Sequence, residues 1–274
     1  MTIKNIIKEY TPRLLGKSFS PVLDVELLLT KALKQNKEHL YKNPKKKLTS
    51  NQLNNFKKLF SRRLKGEPIA YLLGYQEFFK LKIQVDKNAL IPRPETELLV
   101  EEVINYCKAN KIKSIADIGT GSGAIIIALA KNLKADFYGT EISNKALEIA
   151  EENAKIHKAN IKFYKGNLLE PIKDKNPEII VANLPYLTNK ELKNPTISYE
   201  LQLALAGGKD GLNIFIDFFQ QLKKYELEPK AIFLEIGFKQ AQNLKNISKK
   251  YLPKYKTKVI KDLCGLDRIF IIYK

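Results

Sequence analysis

The chain has 274 residues, 44% of them hydrophobic, and a formal charge of +19, which suits one large domain or a large and a small one with a real core. It has no apolar run of about 18 residues and no basic–apolar–small leader pattern, so no membrane span or export is expected. Two cysteines, Cys107 and Cys264, give neither zinc spacing nor a disulfide framework and point to a reducing compartment, the cytoplasm. The positive charge is almost all lysine, spread along every segment, with arginine only at positions 13, 62, 63, 93 and 268. That balance suits a polyanionic partner such as RNA. It equally suits the lysine bias of an AT-rich genome, and arginine is the better residue for bidentate phosphate recognition.

Residues 1–74 read as a small helical bundle. Ile3, Ile6, Ile7 and Tyr10 share one helical face. Ser20-Pro21 reads as a cap followed by proline at the first helical position, and Val22, Val25, Leu28, Leu29 and Leu33 form the stripe behind it. A basic loop spans Lys42 to Lys47. Thr49 to Gln52 fits a capping box, Leu53, Phe56, Phe60 and Leu64 continue at helical spacing, and Gly66 with Pro68 closes the element. Residues 75–92 read as a hairpin linker, with Phe78, Leu81, Ile83 and Val85 alternating. Pro92 and Pro94 around Arg93 set an extended backbone that could wall a pocket, and a helix follows over Glu95–Asn105.

From residue 112 strands and helices alternate. Strands are expected at Ile112–Ile118, Asp136–Thr140, Ile161–Tyr164, Glu178–Ala182, Ala231–Ile236, around Val259 and at Ile269–Tyr273. Helices are expected at Ala124–Asn132, Asn144–Ile156, Leu212–Leu222 and Gln240–Tyr251. This is the pattern of a parallel sheet covered on both faces, whose ligands lie beyond the strands' carboxyl ends. Asp117, then Gly119, Thr120, Gly121, Ser122 and Gly123, form a G-x-G-x-G turn into a helix. Such a turn lets backbone lie against a ligand and aims helix N–H groups at it, but tight strand-to-helix turns also need glycine. Glu141, Asn167 and Asn183 fall at the next strand ends. Glu141 could accept both hydroxyls of a ribose; Asn167 could accept from an adenine amino group, with Leu168 against the ring. His39 and His157 read as surface helix residues, and nothing has metal-ligand spacing.

Asn183-Leu184-Pro185-Tyr186 resembles the Asn-Pro-Pro-Tyr motif of amino-methyltransferases, with Leu184 in place of a proline. Leu90-Ile-Pro-Arg-Pro-Glu-Thr-Glu97, Arg63 with Gly66–Gly74, Glu200 with Ala204–Leu212, Leu234-Glu-Ile-Gly237 with Gln240, and Asp262–Arg268 narrow the likeness to the HemK/PrmC family of peptide chain release factor glutamine methyltransferases. Asn167 stands where that family usually has Asp. The resemblance covers nearly the whole chain. It implies a Rossmann-like class I methyltransferase domain with a mostly parallel seven-stranded sheet over residues 93–274, joined by the hairpin to an N-terminal substrate-docking bundle.

It further implies methyl transfer from S-adenosyl-L-methionine to the glutamine of the Gly-Gly-Gln motif of class I release factors, by a monomer that needs no nucleic acid. On that likeness Asp117, the Gly119–Gly123 turn, Glu141, Asn167, Leu168 and Asn183 hold the cofactor. Asn183 and Tyr186 are catalytic, and Asn183, Leu184, Pro185 and Tyr186 clamp the glutamine. Three other readings remain at this point: methylation of a nucleic-acid amino group, methylation of a glutamine on a ribosomal protein, and a decayed site that only binds.

Overall fold

The computed structural model describes residues 1–194 and 197–274. They form two compact units, Met1–Tyr75 and Gln76–Lys274.

The first unit holds α1 (Ile3–Tyr10), α2 (Pro21–Leu33), α3 (Lys37–Lys42), α4 (Ser50–Leu64) and α5 (Ile69–Leu73). Its core gathers Ile3, Ile6, Leu14, Val25, Leu28, Leu29, Phe56 and Phe60. The capping box forms as expected, with Thr49 and Gln52 side chains each accepting from the other's backbone N–H. Ser20 does not cap α2 through its side chain; the proline after it starts the helix. Val22, in the first turn of α2, leaves the stripe and is exposed. Arg63 Nε donates to Asp24 Oδ2 at 2.6 Å, tying α4 to α2.

The second unit opens with a hairpin, β1 (Tyr75–Phe78) and β2 (Leu81–Gln84). The hairpin is fastened within this unit: Asn153 exchanges hydrogen bonds with the backbone N–H and carbonyl of Gln84 at 2.8 and 2.9 Å. There follow α6 (Thr96–Asn110), β3 (Ser114–Ile118), α7 (Ala124–Asn132), β4 (Asp136–Glu141), α8 (Asn144–Ile156), β5 (Lys162–Lys165) and β6 (Ile179–Ala182). A short parallel pair, β7 (Leu187–Thr188) and β8 (Ala206–Gly208), precedes α9 (Asn213–Lys224), β9 (Ala231–Glu235), α10 (Ala241–Tyr251), β10 (Lys256–Lys261) and β11 (Asp267–Tyr273).

The seven-stranded sheet has the order β10-β11-β9-β6-β3-β4-β5. Pairing is parallel from β9 through β5, and β11 is antiparallel to both β9 and β10. One face, with Ala116, Ile118, Ile180, Ala182, Ile232 and Leu234, packs on Phe215, Phe218, Phe219 and Leu244 of α9 and α10. The other buries Ile115, Val181 and Phe233, and Tyr106 of α6 meets Phe233 edge-on at 5.5 Å. Burial on both faces explains the near-continuous apolar strands. Helices α7 and α8 span the residues expected, while α6 runs five residues beyond Asn105, since Tyr106 and Cys107 still have core to cover. The sequence shows no alternation at β7 and β8, which are two and three residues long, and that pair was not anticipated.

Gly123 caps α7 at φ 80°, where an added Cβ would stand 3.0 Å from Ile127 Cδ1 and 3.2 Å from Ala150 Cβ. Gly123→Ala is therefore expected to lose about 1–3 kcal/mol of stability. A urea midpoint matching wild type would mean that the turn can relax to an ordinary conformation.

Candidate active site

The parallel strands β3, β4, β5 and β6 deliver their carboxyl ends to one rim, and a cleft lies over it. Gly119, Gly121, Glu141, Gly166, Asn167, Leu168, Asn183, Leu184 and Pro185 line this cleft. A second cavity adjoins it, lined by Leu90, Arg93, Tyr186, Leu187, Ala204 and Glu235. Asn183 and Leu184 belong to both.

The glycine turn is held from beneath. Thr120 donates its backbone N–H to Thr140 at 2.9 Å and its hydroxyl to Asp117 Oδ2 at 2.6 Å. Asn153 Nδ2 donates to the Ser122 carbonyl at 2.9 Å. Asp117, Thr120, Ser122 and Gly123 are buried behind the turn and do not line the cleft; they shape it. A Cβ at Gly121 would find its nearest neighbour 4.0 Å away. Since Gly121 lines the cleft, a side chain there would fill space that backbone alone leaves open.

Glu141 is nine-tenths buried and accepts from Gly121 N–H through Oε2 and from Ser143 N–H through Oε1, both at 2.9 Å. Each oxygen keeps a second lone pair. Asn167 is exposed on the rim, and Leu168 beside it adopts φ 52°, a left-handed conformation that costs a non-glycine residue energy and tends to occur at functional sites. Ile142, Ala146 and Ile214 add an apolar wall. Acceptors at Glu141 and Asn167 beside a flat apolar surface fit a nucleoside-bearing cofactor.

The Asn183–Tyr186 segment is fixed by side-chain bonds. Asn183 Nδ2 lies 3.3 Å from Thr96 Oγ1, which donates to Glu235 Oε2 at 2.6 Å; the Tyr186 hydroxyl donates to Glu235 Oε1 at 3.1 Å. Gln240 Nε2 donates to the carbonyls of Tyr186 and Gly211, each at 3.1 Å. Burial raises the Glu235 carboxyl, opposed by the Thr96 and Tyr186 hydrogen bonds and by Arg268. Burial also raises the Tyr186 phenol, and the charge of Glu235 adds to the rise. Tyr186 is thus a neutral donor.

Over nearly its full length the chain matches curated proteins. It is 36% identical over 273 residues to a release factor glutamine methyltransferase of Coxiella burnetii, covering 99% of this chain and 98% of that one. It is 38% identical over 262 residues to one of Thermodesulfovibrio yellowstonii, covering 92% of each. Two family models match, the PrmC N-terminal domain over residues 5–74 and the methyltransferase small domain over 94–207. The chain belongs to the release factor glutamine methyltransferase family. It is a methyltransferase, and its fold is that of the class I enzymes. Among solved structures, the hMettl16 catalytic domain in complex with MAT2A 3′UTR hairpin 6 aligns with TM-score 0.55 at 20% identity, over 75% of this chain and 81% of that one, a likeness of fold. Among the described residues of the methyltransferase, no helix is long and apolar enough to cross a membrane.

The sequence assigns Asp117, Gly119 through Gly123, Glu141, Asn167, Leu168 and Asn183 through Tyr186 to one site. Gly119, Gly121, Glu141, Asn167, Leu168 and Asn183 through Pro185 line one cleft, with Tyr186 in the cavity beside it, whereas Asp117, Thr120, Ser122 and Gly123 are buried and do not line it. Roles for Thr96, Glu235, Gln240 and Asn153 were missed, although the first three lie in quoted motifs. Arg93 does wall a cavity, held by a 2.5 Å bond from its Nη2 to Glu200 Oε1. Neither histidine lines the cleft or the cavity beside it, and His157 follows α8 rather than lying in it.

Burial, with the charge of Glu141 adding, pushes Asp117 up to about 7 from 3.8 despite the opposing Thr120 bond. The folded chain then binds more protons than the unfolded chain between these values, so this carboxyl makes stability fall as pH rises from 3.8 to about 7 and leaves it level above. The slope is at most about 1.4 kcal/mol per pH unit. Asp117→Asn should remove that slope in chemical denaturation of the cofactor-free protein; identical slopes in variant and wild type would show a solvated carboxyl.

Proposed function

We propose that the protein transfers a methyl group from S-adenosyl-L-methionine to the side-chain amide nitrogen of the glutamine in the Gly-Gly-Gln motif of class I peptide chain release factors. The observation that carries this reading is that Asn183 and Leu184 line both the cleft beside the glycine turn and the cavity beside Tyr186. A donor in one and an acceptor in the other would meet at those residues.

The cofactor's part is to supply a methyl already electrophilic on a sulfonium. Gly119 and Gly121 give it close backbone, Glu141 accepts from its ribose, and Asn167 and Leu168 border its adenine. Asn183 Oδ1 and the Leu184 carbonyl accept from the glutamine's NH2, while Tyr186 covers the flat face of the amide. An amide nitrogen is a poor nucleophile because its lone pair is delocalised, so alignment is the main demand. Holding it on line can supply on the order of 7–11 kcal/mol. Two acceptors on its N–H groups also favour the positive charge that develops there. The Met1–Tyr75 unit, which carries the PrmC N-terminal domain match, is assigned to holding the release factor.

The direct test is mass mapping of a class I release factor after incubation with the protein and labelled cofactor. Label on the Gly-Gly-Gln glutamine is expected; a release factor left unlabelled while ribosomal RNA in a parallel incubation takes the label would replace the substrate assignment. Asn183→Ala should nearly abolish turnover while cofactor affinity stays within about fivefold, the effect of a lost hydrogen bond of at most about 1 kcal/mol. An unchanged rate removes the clamp. Glu141→Ala should weaken cofactor binding by about 1–3 kcal/mol, measured by calorimetry, and unaltered affinity would mean that its carboxylate takes no part.

A further inference from the structure

Rested on the reading above, the clamp leaves one question open. A carboxamide has two ends of the same shape and opposite hydrogen-bonding sense, so something must decide which end of Asn183 faces the glutamine. The residues behind it do. Glu235 is 1% exposed and Thr96 3% exposed. The two oxygens of Glu235 accept the hydroxyl protons of Thr96 at 2.6 Å and of Tyr186 at 3.1 Å. Each of these bonds runs from a hydroxyl to a carboxyl oxygen, so Glu235 accepts on both sides. With its proton committed to Glu235, Thr96 Oγ1 offers Asn183 only lone pairs. The end of Asn183 that lies 3.3 Å from Thr96 Oγ1 is then the NH2, and the oxygen is the end left for the substrate.

We propose that Thr96, held by Glu235, is a positioning residue that sets specificity: it fixes the Asn183 carboxamide oxygen-outward, so that the site takes the NH2 of a glutamine and rejects the carboxylate of a glutamate. With the amide turned round, Asn183 would offer a donor, the wrong partner for a glutamine nitrogen and the right one for a carboxylate. Glu235 itself lines the second cavity, so the test leaves Glu235 in place and varies Thr96.

Wild type, Thr96→Ser, Thr96→Val and Thr96→Ala are compared as full-length proteins. The measurements are kcat and KM on a release factor, inhibition by the same release factor with its Gly-Gly-Gln glutamine changed to glutamate, and calorimetric cofactor binding. Thr96→Val and Thr96→Ala are expected to lower kcat by about tenfold, the scale of one hydrogen bond, with cofactor affinity kept. In both, the ratio of the inhibition constant for the glutamate form to KM for the glutamine form should also fall by about tenfold. Thr96→Ser, which keeps the hydroxyl, should preserve both rate and ratio. The proposal is overturned if Val and Ala leave the ratio at its wild-type value, whether or not rate or cofactor binding suffers, or if Ser loses as much discrimination as Val. A wild-type protein inactive on the release factor would sink the underlying reading and the relay with it; an active wild type beside an undiminished Val ratio sinks the relay alone.

Discussion

A carboxylate taken out of water must be met by donors, and at Glu235 that demand organises the site. Its oxygens accept from Thr96, 139 residues earlier, and from Tyr186, 49 residues earlier. One buried carboxyl group thereby draws the start of α6, the end of β9 and the loop after β6 to a common point. Loss of either hydroxyl would leave a buried carboxyl oxygen unpaired, which costs more than an ordinary hydrogen bond contributes. Nearby, Arg268 is itself paired with Asp262 at 2.9 Å and opposes the rise that burial imposes on Glu235. Two quoted motifs of no evident purpose, around residues 96 and 262–268, thus converge on the same carboxylate.

The other end of the rim uses acids differently. Asp117 is fully buried and holds the turn through the Thr120 hydroxyl. Glu141 meets two backbone N–H groups and still borders the cleft. Identical chemistry on neighbouring parallel strands is therefore divided by depth: one carboxyl shapes the turn, while the other, a strand further out, remains available to a ligand. Spacing along the chain puts both near the glycines, but it carries no information about depth, which depends on the helices packed above.

This marks how far the sequence could be read. Periodicity located α7 and α8 to the residue and most strands to within two, because buried parallel strands and amphipathic helices write their environment into local pattern. The rim was legible for a related reason: Asn183 interrupts an apolar run where β6 stops, and Glu141 and Asn167 are polar residues at the ends of the neighbouring strands. Side-chain bonds between distant segments leave no such trace. Thr96 looks like a first-turn helix residue and Glu235 like a strand-end acid; nothing local says that they meet. Asn153, fully buried mid-helix with bonds to Gln84 and Ser122, reads in sequence as one more polar residue of α8.

Leu184 brings these strands of argument together. A proline at that position would stiffen the segment by fixing φ, and leucine does not. Here stiffness comes from outside the tetrapeptide. Asn183 is tied to Thr96, the Tyr186 hydroxyl to Glu235, the Tyr186 carbonyl to Gln240, and Leu187 N–H to the Leu205 carbonyl at 2.9 Å. Gly211 makes the third bond possible, since a Cβ there would fall 2.1 Å from the Tyr186 carbonyl oxygen. The Leu184 side chain is 2% exposed, and its Cδ2 would lie 3.5 Å from a Cβ placed on Gly119. It therefore packs against the glycine turn and links the cleft floor to the segment that borders both cavities. With both ends of the tetrapeptide pinned by buried partners, the backbone between them has few conformations left to lose, and the rigidity that a ring would impose locally is supplied by tertiary contacts.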